Sequence, residues 1–231
     1  MRVFVFKLIV NKVLPFVPLF CRLKLHYLAT KIRNDEPELI FLDRIIKSRL
    51  DKNAVDIGAH KGLFSYKMSK MFKKVYAFEA QKYLSANLSN SKMKNVEVLN
   101  IGLSSKEQQM KLYTPVVGNI VYGNFSSFTN YFEFKCEIKE EVVFVKPLDD
   151  LKLENIGFIK IDVEGHEWEV LQGASKTITK NRPELLIEIR DENYEKILDF
   201  LSKLEYERFH TDMLDDKMNY IFKPKKNQDP R

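Results

Sequence analysis

The sequence predicts an α/β domain with a mostly parallel sheet covered by helices on both faces, and three observations carry that expectation. Short, continuously apolar runs recur at residues 54–57, 75–78, 96–101, 158–161 and 185–189, the composition of strands buried on both sides. Helix-length segments separate several of them, two with an apolar 3.6-residue period, which makes a βαβ rhythm with right-handed crossovers. Two further runs, 206–210 and 219–222, lie either side of a turn bearing Asp215 and Asp216. They predict a closing antiparallel hairpin, which a dinucleotide dehydrogenase sheet does not have. A chain of 231 residues that is 45% hydrophobic and 30% charged suits one domain with a packed core better than two.

Residues 1–35 differ from the rest. An apolar run at 13–20 is flanked by Arg2, Lys7, Lys12, Arg22, Lys24, Lys31 and Arg33, and the first acid is Asp35. Lys7, Lys12, Pro15 and Pro18 interrupt it too often for a membrane span of ~20 apolar residues, and no small-residue cleavage site follows. Three readings remain open: a helix packed on the domain, a membrane-surface anchor, or an uncleaved signal or span. The domain proper is expected over 36–224. It opens with a helix over 36–49, apolar at Leu39, Ile40, Leu42, Ile45 and Ile46, and continues with helices over 62–72, 167–179 and 193–204. Between 106 and 150 the rhythm breaks into β-like pieces at 109–113 and 141–145 around a loop rich in Gly, Asn and Ser. This insertion is expected to form part of the substrate site, with Asn124, Phe125, Ser126 and Ser127 shaping an acceptor pocket. Residues 225–231 form a basic tail.

The formal net charge of +6 would suit an anionic partner. Much of that charge lies at the two ends, so the folded middle is nearer neutral and nucleic acid is not expected. Cys21 and Cys136 have no CxxC spacing, which excludes a disulfide framework and a thiolate zinc site and makes a reducing cytoplasm the natural compartment. The four histidines, His26, His60, His166 and His210, include no i,i+4 pair, so no helical metal site is expected.

Chemistry concentrates at two strand ends. In Val55-Asp56-Ile57-Gly58-Ala59-His60-Lys61-Gly62 a strand closes on an acid, and a glycine-bearing turn leads into a helix. Glycine there permits a tight turn and close approach of a ligand to the backbone. The spacing is not GxGxxG, which favours a smaller nucleoside-type ligand over a pyrophosphate. Glu79 closes the next strand, roughly 20 residues beyond Asp56, where an acid accepts hydrogen bonds from ribose hydroxyls. Together these features point to S-adenosylmethionine or NAD. The second cluster is Lys160-Ile161-Asp162-Val163-Glu164-Gly165-His166-Glu167, at the carboxyl end of another apolar strand. Its acids could simply be favoured by a helix N-terminus, or could hold Mg²⁺ through oxygen ligands.

These two blocks, with Pro147-Leu148-Asp149-Asp150-Leu151 and Val170-Leu171-Gln172-Gly173-Ala174, resemble the FkbM-type methyltransferase family in order and spacing. The resemblance implies a Rossmann-like class I methyltransferase fold with a mostly parallel seven-stranded sheet. It also implies S-adenosylmethionine as cofactor and a hydroxyl of a sugar, glycan or natural product as acceptor. Asp56, Gly58, Ala59, His60 and Gly62 would then surround the amino-acid end of the cofactor. Glu79 with Ala80 would hold the ribose, Gly102 and Leu103 would lie beside the adenine, and Asp162 would reach both cofactor and acceptor. Asp162, Glu164 and His166 would line the acceptor side, His166 being the expected general base because its ordinary pKa is near neutral. The chain departs from the family at His60, commonly asparagine, and at Ala80, where many members have proline. A catalytically silent nucleotide-binding or scaffold module, or an NAD-dependent oxidoreductase, are the competing readings. The latter lacks both the glycine pattern and a recognisable Tyr-xxx-Lys pair.

Overall fold

The structure, a computed structural model, describes residues 19–33, 36–47, 49–118, 120–130, 132, 135–211 and 218–225. Much of the basic N-terminal run, the Asp215-Asp216 turn and residues 226–231 lie outside them. The main sheet contains β1 (Arg49–Ile57), β2 (Phe72–Phe78), β3 (Val96–Leu99), β8 (Ile156–Ile161), β9 (Glu184–Glu188), β10 (Tyr206–Phe209) and β11 (Asn219–Pro224). Their order is β10-β11-β9-β8-β1-β2-β3. Pairing is parallel from β3 through β9, while β11 runs antiparallel to both neighbours, β9 and β10. The seven-stranded, mostly parallel sheet with its closing hairpin is therefore present as expected.

The two faces follow from the two-residue period of a strand. Val55, Ile57, Ile159, Ile161, Leu185 and Ile187 point to one side and form a core with Val170, Leu171, Ile178, Ile197 and Leu201. Those partners belong to α6 (Glu167–Gly173), α7 (Ser175–Asn181) and α8 (Asp191–Lys203). Ala54, Val75, Phe158 and Leu186 point to the other side, against Leu39, Leu42, Ile45, Phe64 and Met68. These come from α2 (Pro37–Ile40), α3 (Leu42–Ile45) and α4 (Leu63–Met68). The stacked rings of Phe72 and Phe158, 5.7 Å apart, seal this second core.

Several elements depart from expectation for local reasons. The helix expected over 36–49 is two single turns, because the backbone at Phe41 leaves helical geometry and Ile46 is extended. The stretch 167–179 is two helices divided at Ala174. Asp149 restarts the second by accepting hydrogen bonds from the N–H groups of Lys176 (3.0 Å) and Thr177 (2.7 Å), a cap from outside the helix. The helix expected over 62–72 stops at Met68, and α5 (Lys82–Ser89) was not anticipated.

The run 96–101 splits after β3, and β4 (Gly102–Leu103) joins a second, four-stranded sheet ordered β4-β7-β5-β6. Its body is an antiparallel pair, β5 (Gln108–Val117) and β7 (Glu137–Lys146), with β6 (Ile120–Val121) at one edge. The β-like pieces expected at 109–113 and 141–145 are its centre.

Helix α1 (Leu19–Arg33) packs on the domain by Leu23, Ala29 and Thr30, all buried, and by Tyr27, whose ring lies 5.3 Å from that of Tyr66 on α4. Among the described residues, no helix is long and apolar enough to cross a membrane.

Candidate active site

The carboxyl ends of β1, β2, β8 and β9 open on a cavity of about 500 Å³, within the usual range for a small-molecule site. Gly58, Ala59 and His60 line it from the turn after β1, Glu79, Ala80 and Gln81 from the turn after β2, and Gly102 and Leu103 from β4. Lys160, Asp162, Val163, Glu164 and Glu188 line it from β8 and β9, and Leu112, Ser126 and Phe128 from the inserted segment.

The β1 turn is built for close approach. Gly58 adopts φ +77°, and a Cβ there would lie 1.8 Å from the carbonyl oxygen of Asp162. Only glycine lets the ends of β1 and β8 abut in this way. His60 is also left-handed, at φ +49°, and its N–H donates to Glu79 Oε2 at 2.7 Å. The other carboxylate oxygen, Oε1, accepts from the N–H of Gln81 at 2.8 Å. Glu79 is thus fixed by one backbone donor on each oxygen, and each oxygen keeps acceptor capacity. Burial raises its pKa to about 7 against the opposing pull of those two bonds. Burial, helped by Lys61, lowers that of His60 to about 4, leaving a neutral imidazole at the cavity wall.

Beneath this wall lies a charged layer that the two-residue period predicts. Asp56 pairs in register with Lys160, and both are buried. Asp56 accepts a 2.5 Å hydrogen bond from Ser65 Oγ, and its pKa is raised by burial. The Lys160 ammonium donates to Asp162 Oδ2 at 2.8 Å and stands 4.5 Å from the Phe64 ring. Burial alone would lower the lysine's pKa, but Asp162 and Asp56 outweigh it and keep the ammonium charged. The pairing offsets the cost of burying either charge.

At the far end an oxygen from each of Asp162, Glu164 and Glu188 lies within 4.8 Å of the others. Glu164, at φ +53°, pairs with Arg190 at 2.6 Å. Glu188 is pushed up to about 8, first by burial and then by the carboxylates of Asp162 and Glu164. Three strand spacings separate β2 from β9, so Glu79 and Glu188 stand at opposite ends of a cleft roughly 14 Å across.

Of the candidate catalytic and cofactor-binding residues singled out from sequence, most meet here, and three do not line the cavity. Asp56 sits below the floor. Gly62, at φ +80°, starts α4 against Leu88, whose Cδ1 a Cβ would meet at 2.2 Å. His166 is buried away from the lining. Its Nε2 shares a 3.0 Å hydrogen bond with Ser104 Oγ, its Nδ1 is 3.5 Å from Glu169, and the Phe128 ring packs against it at 4.7 Å. Burial lowers its pKa. The expected general base His166 therefore does not line the cavity: its Nε2 is bonded to Ser104, and Phe128 is the ring at the wall.

In the inserted loop, Ser126 lines the cavity, whereas Ser127 braces it by donating to the carbonyl of Glu164 at 2.9 Å. Phe125 is partly exposed, and the Asn124 side chain lies outside the described set. Sequence reasoning missed Glu188, whose acid at a strand's last position was the available signal. It also missed Gln81, whose amide donates to the carbonyl of Gly123 and to Ser126 Oγ, both at 3.0 Å. This ties the β2 turn to the insertion.

The fold resembles that of solved structures. The crystal structure of the methyltransferase FkbM from Methylobacillus flagellatus KT superposes with a TM-score of 0.56 at 18% identity, covering 80% of this chain and 46% of that one. The chain thus spans about half the length of that protein. A structure described as a SAM-dependent methyltransferase from Aquifex aeolicus is similar at TM-score 0.45 and 17% identity, covering 88% of this chain and 95% of that one. No curated protein sequence matches the chain. Residues 56–208, from the β1 acid to β10, match the family described as the methyltransferase FkbM domain, and the chain belongs to that family.

Proposed function

We propose that the protein transfers a methyl group from S-adenosylmethionine to a hydroxyl oxygen of a sugar, glycan or natural product. The observation that carries this reading is the charge of the cleft. Glu79, Asp162, Glu164 and Glu188 line it against Lys61 and Lys160, and a cofactor bearing a sulfonium and an ammonium suits them, because its charges would draw the raised carboxyls of Glu79 and Glu188 toward their ionised forms. NAD would instead bring a pyrophosphate to carboxylates. Glu79 presents its remaining lone pairs to the ribose hydroxyls, Gly102 and Leu103 flank the base, and Gly58, Ala59 and His60 border the amino-acid end. Ala80 completes the ribose side of the wall.

The bound cofactor supplies an electrophilic methyl carbon, and the protein's task is alignment of the acceptor with it. The acceptor oxygen forms the new bond to that carbon, the carbon–sulfur bond breaks with its electron pair going to sulfur, and the hydroxyl proton must leave. Glu188 takes that proton. Asp162 and Glu164 are engaged by Lys160 and Arg190, whereas Glu188 has a proton affinity matched to neutral conditions. Asp162 bridges cofactor and acceptor sides, and Glu164 with Ser126 and Phe128 shapes the acceptor pocket. Lys160 and Arg190 offset part of the charge of this acid cluster.

Calorimetric titration tests the cofactor assignment. S-adenosylhomocysteine is expected to bind saturably and NAD not at all. Glu79→Ala should weaken that binding roughly tenfold or more, since a hydrogen bond to a charged group contributes ~1.5–3 kcal/mol. Tight binding of NAD with no response to S-adenosylhomocysteine would overturn the reading.

A further inference from the structure

Helix α1 has two different faces. Leu23, Tyr27 and Thr30, spaced i, i+4 and i+7, turn toward the domain, and the small Ala29, also buried, borders the other arc. On the opposite arc Leu25, Leu28 and Ile32 are 39%, 42% and 66% exposed, and at 100° per residue they form one continuous stripe. Lys24 and Lys31, both exposed, run along one edge of that stripe. The 34 residues up to the first acid contain Arg2, Lys7, Lys12, Arg22, Lys24, Lys31 and Arg33 and no carboxylate side chain. An apolar stripe edged with lysines, on a helix whose first turns follow a basic apolar run, matches the chemistry of an anionic bilayer surface.

The position of α1 gives this stripe a consequence for the cleft. The helix packs on α4 through Tyr27 and Tyr66. Leu63 and Phe64 of α4, with Glu36 and Glu38 just beyond α1, line the cavity. We infer that the Leu25, Leu28 and Ile32 stripe of α1, with Lys24 and Lys31, docks the protein on an anionic lipid surface and holds the cleft beside it. The helix lies in the interface: fifteen residues span ~22 Å, short of a bilayer crossing. This inference is independent of the methyl-transfer reading.

Vesicle co-sedimentation with the full chain tests it. Vesicles containing phosphatidylserine should retain the protein, pure phosphatidylcholine vesicles should retain much less, and added salt should release it. Lys24→Glu with Lys31→Glu should lower the partition roughly 30-fold, and Leu28→Asp with Ile32→Asp should abolish it. An unchanged thermal melt shows that each variant is folded. Absence of binding overturns the inference, as does binding that both folded double variants retain, because residues 1–18 would then carry it. Self-association of the free chain that Ile32→Asp dissolves, without vesicle binding, also overturns it in favour of a second copy on the stripe.

Discussion

Glu79 and Glu188 are both buried acids at strand ends, yet their surroundings assign them different tasks. Backbone N–H groups hold each oxygen of Glu79, making it a fixed acceptor. Glu188 instead stands beside two other carboxylates that lift its pKa to about 8. If it removes the acceptor proton, kcat/KM, which reports the free enzyme, should rise with pH toward about 8 and then level. Glu188→Gln should lower kcat by roughly 100-fold or more and erase that limb, with affinity for S-adenosylhomocysteine unchanged. Steady-state kinetics across pH decide this, and a variant with an unchanged profile would exclude Glu188 as the base. A bond to the Ser104 hydroxyl ties His166, at the start of α6, to the residue that follows β4.

At the scale of elements, what shapes the cleft is how closely helices and strand ends approach. The end of α6 shows this. A Cβ on Gly173 would lie 2.0 Å from the carbonyl oxygen of Ser104 and 3.2 Å from Cα of Pro147. These are backbone atoms that cannot swing aside. Gly173→Ala should therefore destabilise the domain by about 2 kcal/mol, lowering Tm by ~5 °C for a chain of this size. It should also loosen β4, which forms the Gly102 and Leu103 side of the cavity. Thermal denaturation followed by circular dichroism checks the first effect, and an unchanged Tm would mean that α6 has room to move. The insertion is held by hydrogen bonds: Gln81 of the β2 turn donates to the carbonyl of Gly123, and Ser127 donates to the carbonyl of Glu164.

At the scale of the whole molecule, buried acids gathered at the carboxyl ends of the strands couple stability to pH. Glu79 and Glu188 are raised from 4.5 to about 7 and about 8. The folded state therefore binds protons that the unfolded chain has released. Stability from these groups is full below pH 4.5 and is lost as pH rises through their folded values. His60, lowered to about 4, acts in the opposite sense, but its contribution changes only between pH 4 and 6.5. From pH 6.5 to 8 the carboxyls govern, so the Tm of the free protein should fall across that interval, and Glu188→Gln should reduce the slope. A Tm that rises there, measured by scanning calorimetry, would contradict the burial assigned to these acids.

The sequence by itself determined the sheet, since its continuously apolar runs could be buried only on both faces, and through Asp56, Glu79 and Asp162 it marked the strand ends that open on the cavity. The family motifs were legible for the same reason: tight turns and abutting backbones restrict residue choice at Gly58 and Gly173. Only the tertiary structure decided which marked residues reach the cavity. His166 and Gly62 lie close in sequence to lining residues, but a helix start turns each side of the chain differently, so one packs on Ser104 and the other on Leu88. Glu188 and Gln81 carried no motif of their own, and Lys160 was legible only as part of a motif, not as the partner of Asp56. They joined the site because strands distant in sequence are neighbours in the sheet, a pairing that local periodicity does not encode.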